Sequence, residues 1–217
     1  MSARFRFFAV IAGLAALAGC KSKGDIIVDE GIGITAVRTV CPAVGIPDYT
    51  GDITLFTTPG ARQASAIDVT ASITNLRTAC NEAGTDDIYA NATFDVFARR
   101  SDVRDARTVT LPYYSVVVRG GSSVVSKRIG SVTLNFAPGQ ERAQASGAAG
   151  AVISRAEATL PEDVRDRITR RRKSGDADAA IDPLTLPEVR AAIARASFEL
   201  LVGFQLTDAQ LAYNATR

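Results

Sequence analysis

Histidine is absent from all 217 residues. That removes the commonest general base and metal ligand near neutral pH, and with it a Ser-His-Asp triad, a Cys-His pair and a histidine zinc site. Catalysis would fall to carboxylates, Lys or Tyr, and no pair of acids stands out by its spacing. Asp176-x-Asp178-x-x-x-Asp182 offers oxygen ligands of the kind calcium takes. A calcium loop of the EF-hand type begun at Asp176 would need its third alternating ligand where Ala180 stands and a glutamate where Pro187 stands. These aspartates therefore read as loop or helix-cap residues, and no metal site is expected. Gly31-x-Gly33 and Gly120-Gly121 lack the spacing or the following helix of a phosphate loop and read as turns. No cofactor is expected.

Arg170-Arg171-Arg172-Lys173 is the sharpest charge run. One reading is a contact with anionic headgroups, phosphates or another anionic polymer. The other is a solvated helix end, where cations complement the macrodipole as Glu162, Asp163 and Asp166 do at the start. Asp163 with Arg167, and Asp166 with Arg170, are spaced as i,i+4 pairs. The stretch from Glu162 to Asp182 holds six acids and six bases, which favours the solvated end. Tyr113-Tyr114, behind Pro112, is an aromatic pair that a ligand could contact; on a strand the two rings face opposite sides, so one is assigned to the core. Tryptophan is absent and aromatics make up 6% of the chain, which argues against a sugar-stacking platform. Asn91-Ala92-Thr93 and Asn214-Ala215-Thr216 match the N-glycosylation pattern and are read as chance matches.

The elements around these residues begin with an N-terminal segment that carries Arg4 and Arg6 and then an uncharged apolar run from Phe7 to Gly19. That order reads as a secretory signal, and the run is too short to span a bilayer, which takes about 20 apolar residues. It closes on Leu17-Ala18-Gly19-Cys20, which resembles the lipobox of bacterial lipoproteins. The resemblance covers residues 1–20 alone. It implies that residues 1–19 are a signal peptide, that the Cys20 thiol carries a diacylglycerol, and that cleavage falls just before it. Lys21, rather than aspartate, follows the cysteine, which implies the outer membrane, facing the periplasm. Residues 20–25 would form a lipidated tether, since two or more acyl chains hold a protein stably at a membrane. Removing 19 of 217 residues leaves 198, enough for one domain with a real core. The loss of Arg4 and Arg6 from 25 basic residues balances the 23 acids, so no nucleic-acid partner is expected. Lipidation of Cys20 would leave Cys41 and Cys80 in an oxidising compartment. They are expected to form a disulfide, closing a loop of about 40 residues worth roughly 4 kcal/mol. Two buried free thiols or a redox pair are the alternatives, though the Cys-x-x-Cys spacing of a redox pair is absent.

Much of residues 26–217 reads in period two. Ile67–Thr74, Ala90–Arg99, Val132–Phe136 and Phe198–Leu206 alternate apolar with polar or solvent-facing positions. Gly33–Val40 and Ile53–Thr57 are further strand candidates, and Tyr114–Arg119 and Val124–Arg128 flank the hairpin signal Gly120-Gly121-Ser122-Ser123. Half-apolar alternation predicts antiparallel sheets with one wet face. The Ala/Gly-rich stretch Ala143–Ala151 reads as a weak strand or a loop. Between about 161 and 196 the pattern changes, with helix signals after Pro161 and again from Pro187 to about Ala196. The fold class is therefore mainly β: an antiparallel β-sandwich of seven or eight strands in one domain, with an immunoglobulin-like layout in view, and a two-helix insertion before the last long strand. The alternative is an α+β fold, one curved antiparallel sheet with helices packed across it.

The function expected from this reading is that of a non-enzymatic envelope lipoprotein that binds a partner protein or an envelope polymer. The alternatives are a membrane-anchored, carboxylate-dependent hydrolase, for which two acids would have to face each other in a cleft, and a carrier that holds an apolar small ligand between its sheets.

Overall fold

The structure, a computed structural model, describes residues 39–81, 86–170 and 180–216. Their alternating patterns become two four-stranded sheets packed face to face. One has the strand order β1 (Ala43–Gly45), β8 (Phe198–Phe204), β5 (Arg107–Arg119), β6 (Ser123–Phe136). The other has the order β2 (Asp52–Phe56), β3 (Ile67–Cys80), β4 (Asp87–Arg100), β7 (Arg142–Ser154). Every pairing is antiparallel except that of the three-residue β1 with β8. The chain is thus a β-sandwich, with its helical insertion between β7 and the last long strand. Its strand order differs from the ABED and CFG sheets of an immunoglobulin constant domain.

The inward residues of each strand fall two apart. Val69, Ala71 and Ile73 of β3 face Leu111 of β5 and Leu134 of β6 across one continuous core, with Phe94, Leu200 and Phe204 fully buried among them. Burial of each of the large side chains stabilises by about 1.5–3 kcal/mol. Ala143–Ala151 lies inside β7, paired along its length with β4. Its small residues have a reason. Phe94 stands opposite Gly147 and Tyr113 opposite Gly130 in register, and the two rings meet edge to face at 5.0 Å. A Cβ at either glycine would fall inside the facing ring. Tyr113 is therefore the inward member of the tyrosine pair, and its hydroxyl donates to the Ala148 carbonyl of β7 at 2.6 Å.

The register discloses a further simplicity. β5 pairs with β6 from Arg119 and Ser123 back to Arg107 and Phe136, and β4 then pairs with β7 from Arg99 and Arg142 to Asp87 and Ser154. Asp87–Ser154 is thus one long hairpin, folded over at its middle so that each half contributes to a different sheet. Its tip turns on Gly120 (φ +62°) and Gly121 (φ +77°), conformations that glycine adopts without a Cβ penalty. Pro112 lies within β5, and its carbonyl accepts from Gln205 N–H just past the end of β8, so its missing N–H falls where the ladder with β8 is ending.

The fold-over point is held by Arg100, the last residue of β4. It continues the inward parity of Phe94, Val96 and Ala98 and is 2% exposed. Nε donates to the Gln140 carbonyl (2.9 Å), Nη1 to Asp105 (2.6 Å), and Nη2 to Val103 (3.2 Å) and Ala137 (2.8 Å). The guanidinium also lies 5.1 Å from the centre of the Phe136 ring. One buried cation thus satisfies four backbone carbonyls from both arms of the corner, as a buried charge requires.

Cys41 and Cys80 are joined by a disulfide with their Cα atoms 6.1 Å apart. It links the segment before β1, at the edge of one sheet, to the end of β3 in the other. Between β7 and β8 the chain forms a one-turn helix α1 (Arg155–Ala158), then α2 (Glu162–Thr169), a 3-10 turn (Pro183–Thr185) and α3 (Pro187–Ala196). The longer pair, α2 and α3, matches the expected insertion. It has its own small core of Val164, Val189 and Ala192, flanked by Ile168 and Leu184. A C-terminal helix that the periodicity does not announce, α4 (Asp208–Thr216), closes the fold against β2.

Candidate functional site

A concavity on the sandwich runs between β2, the 57–66 connector and α4. Its volume is about 540 Å³, within the range of small-ligand and side-chain pockets. Local sequence explains each wall. The connector leaves β2 at Thr57, whose N–H donates to the Ala66 carbonyl at 2.9 Å, and folds back through a Thr58–Ala61 turn. α4 starts with a reciprocal cap: the Gln210 side chain accepts from Thr207 N–H (2.8 Å), and Gln210 N–H donates to the Thr207 hydroxyl (3.3 Å). Asn214 fastens the other end, its amide donating to the Tyr49 and Asp52 carbonyls at 2.8 Å each. An asparagine so buried is no glycan acceptor, in keeping with the chance reading of that pattern. Phe56 and Tyr213 meet edge to face at 5.2 Å as an aromatic wall.

The polar groups of this groove are few. Thr54 is buried beneath it, and its hydroxyl has no hydrogen-bond partner among the described residues. Arg62 stands exposed at the mouth. Asp68 is the one carboxylate in the lining, and it is committed: Arg107 Nη1 and Nη2 lie 2.6 Å from its two oxygens. That fork raises the pKa of the Arg107 guanidinium above its ordinary value. Two acids acting as general acid and base are not assembled here. The groove is suited instead to receiving a mainly apolar group of a few side chains, with Arg62 at its edge. The space between the sheets, where a carried apolar ligand would sit, is occupied by Phe94, Leu111, Leu134, Leu200 and Phe204.

The residues that the sequence singles out are distributed elsewhere. Cys20, the tether, Arg171, Arg172 and Lys173 lie outside the described residues, as do Asp176 and Asp178. Arg170 caps the C-terminal end of α2, its N–H donating to the Asp166 carbonyl at 2.9 Å. It borders a second concavity of about 480 Å³ with Asp163, Asp166, Arg167, Ile181 and Pro183. Acids and bases alternate there, so its charge is mixed. Arg167 reaches Glu188 of α3 at 3.3 Å and ties the two helices together. Asp182 caps the 3-10 turn, its carboxylate accepting from Leu184 N–H at 2.9 Å, which is the helix-cap role expected of it. Among the described residues no cluster of three or more Cys, Asp or Glu is placed to hold a metal ion.

Sequence reasoning passes over the groove. One signal for it was available, the Thr207-x-x-Gln210 spacing that starts α4. The aromatic wall has none, since Phe56 and Tyr213 are far apart in the chain. Comparison with family models, curated proteins and solved structures finds no match for this chain.

Proposed function

We propose that this protein is a lipid-anchored protein of the bacterial envelope that holds a partner protein or an envelope polymer at the periplasmic face of the outer membrane, without catalysing a reaction. One observation carries the proposal. Leu17-Ala18-Gly19-Cys20 ends an apolar run behind two arginines, and of the three cysteines the other two are spent on the Cys41–Cys80 bond. Cys20 is left as the odd thiol at the place where a lipobox has its acylated cysteine. The disulfide is also what an oxidising compartment favours. The groove bounded by Arg62, Phe56 and Tyr213 is where we place the contact: it is open, mostly apolar and offers no pair of acids.

The test is the intact mass of the protein recovered from its own cell envelope. Acyl chains on Cys20 and a new N-terminus at that residue are expected. Cys20→Ser should leave the protein unacylated and shift it out of the membrane fraction. A photo-crosslinking residue in place of Arg62 should then capture the same partner from the anchored protein and lose it when Tyr213 is changed to Ala. A Cys20 without acyl groups in the native product would overturn the anchor and the address together.

A further inference from the structure

The folded hairpin ends in a feature that the core does not use. From Ala106 to Gln140 there is no Asp or Glu, while Arg107, Arg119, Lys127 and Arg128 are basic. In a chain of 25 basic and 23 acidic residues, that is a one-signed element. Two of the four cations are paired: Arg107 with Asp68 at 2.6 Å, and Arg119 with Glu157 at 3.7 Å. Lys127 and Arg128 have no carboxylate within ion-pair distance among the described residues. Glu199 of β8 lies beside Val118, on the side of β5 away from β6.

The same stretch is apolar where it should not be. Val124, Val125 and Ile129 are 65%, 55% and 59% exposed. β6 is the edge strand of its sheet. Ile129 stands opposite Tyr114 and Lys127 opposite Val116, so these four share the outer face of the sheet, with the Lys127 ammonium 5.1 Å from the centre of the Tyr114 ring. Exposed aliphatics beside a cation without a carboxylate partner, near the tip of the hairpin, have the chemistry of a membrane-surface contact. The apolar side chains enter the boundary between headgroups and acyl chains, and the cation meets lipid phosphates. A soluble polyanion would use the cation and leave Val125 and Ile129 without a role.

We infer that the β5–β6 hairpin docks on an anionic lipid surface by its outer face, Val125 and Ile129 entering the headgroup boundary while Lys127, which shares that face with Ile129, engages phosphate groups. In a tethered protein this fixes which face of the domain lies down on the membrane and which stands away from it. The inference rests on the membrane location proposed above, and the two fail separately: the mass of Cys20 reports the anchor, and the test below reports the hairpin.

The full chain is purified with a fluorescent residue in place of Ser131, on the same face of β6 as Lys127 and Ile129, or in place of Asn91 on the outer face of the other sheet as the control. It is combined with vesicles of phosphatidylcholine alone or phosphatidylcholine mixed with phosphatidylglycerol, each containing a quencher attached to the acyl chains. The residue at 131 should be quenched in the phosphatidylglycerol vesicles and not in the others, and the residue at 91 in neither. A basic residue near an anionic surface favours binding by roughly fivefold, so K127Q should lower the ratio of docked to free hairpin by about that factor. V125S/I129S should also abolish quenching with the charges kept. A thermal transition at the parent temperature shows that each variant is folded. No quenching at 131 in phosphatidylglycerol vesicles, or equal quenching at 131 and 91, would overturn the inference. So would a V125S/I129S protein that is still quenched, since the contact would then be with charge alone.

Discussion

Replacing Arg100 by Met asks how much of this fold hangs on one corner. The substitution keeps most of the apolar stem and removes all the donors, so four carbonyls, those of Val103, Asp105, Ala137 and Gln140, lose their partner together. An orphaned buried carbonyl costs about 1–3 kcal/mol. Asp105, Ala137 and Gln140 belong to exposed residues, and water can reach their carbonyls in part, so the lower end applies to each. Against that loss stands the relief of no longer burying a guanidinium, itself worth about 1 kcal/mol or more. The net expectation is a loss of about 3 kcal/mol, a large share of the 5–15 kcal/mol typical of a domain. The neighbour supplies the control. Arg99 points to the other face, its side chain is 67% exposed, and it pairs with Glu141 at 2.6 Å; Arg99→Met should cost less than about 1 kcal/mol. Urea titrations of both variants, read as midpoint shifts at unchanged slope, give the comparison. Arg100→Lys should recover little, because a single ammonium cannot span carbonyls that a planar fork reaches from two sides. If the Arg100 and Arg99 variants unfold within about 1 kcal/mol of each other, the corner is not held by the guanidinium and the reasoning fails.

Three other perturbations test other parts of the architecture. Breaking the Cys41–Cys80 bond by reductant or by Cys80→Ser should lower stability by about 4 kcal/mol in the chain-entropy model; equal urea midpoints with and without reductant would contradict this. Gly147→Val should destabilise by about 2 kcal/mol, because a Cβ there would fall inside the Phe94 ring, and a double-mutant cycle with Phe94→Ala should show strong coupling between the two sites. Hydrogen bonds from Asn75 first and Ser146 second hold the Asp95 carboxyl below its ordinary value of 3.8. A depressed folded pKa gives stability that is present above the unfolded pKa and lost as pH falls through the folded one. Asn75→Ala should therefore move the Asp95 titration back up toward 3.8, as followed by NMR of its carboxyl carbon, and an unmoved titration would refute the assignment of cause.

What the sequence discloses depends on how local the cause is. The alternation in Ile67–Thr74 and Ala90–Ala98 is a statement about one strand, and the strands are there. The helix start at Pro187 is equally local, and α3 spans Pro187–Ala196. β7 is ambiguous from sequence because its reason lies on another strand: glycine and alanine fill Ala143–Ala151 to leave room for rings on β4 and β5. The nine-residue α4 is hidden because its apolar face is slight and its position is fixed by Asn214 reaching the carbonyls of Tyr49 and Asp52. The groove inherits that obscurity, being built from three segments that meet only in the folded chain. Arg100 is a different case. Its inward parity was plain, but an arginine reads as a surface residue until the corner that needs its donors is known.

The folded hairpin explains why stability and exposure can be separated in this protein. One hairpin supplies strands to both sheets: Arg100 holds its corner, and the ring pair Phe94–Tyr113 joins its two halves at mid-strand. The tip is the part farthest from the corner along the chain. There Gly120 donates its N–H to Ser197 at 2.9 Å and Arg119 stacks 5.3 Å from Phe198, so the base of the tip is tied to the start of β8. Beyond that tie, Val124, Val125 and Ile129 lie outside the core, and substituting them should leave the unfolding midpoint close to that of the parent. Sequence change at the tip is thus free to follow what the surface touches, while change at the corner is constrained by folding. The contrast gives the membrane-docking inference its sharpest physical footing: residues that contribute little to the core, yet are apolar and one-signed in charge, have no other structural task in the sandwich.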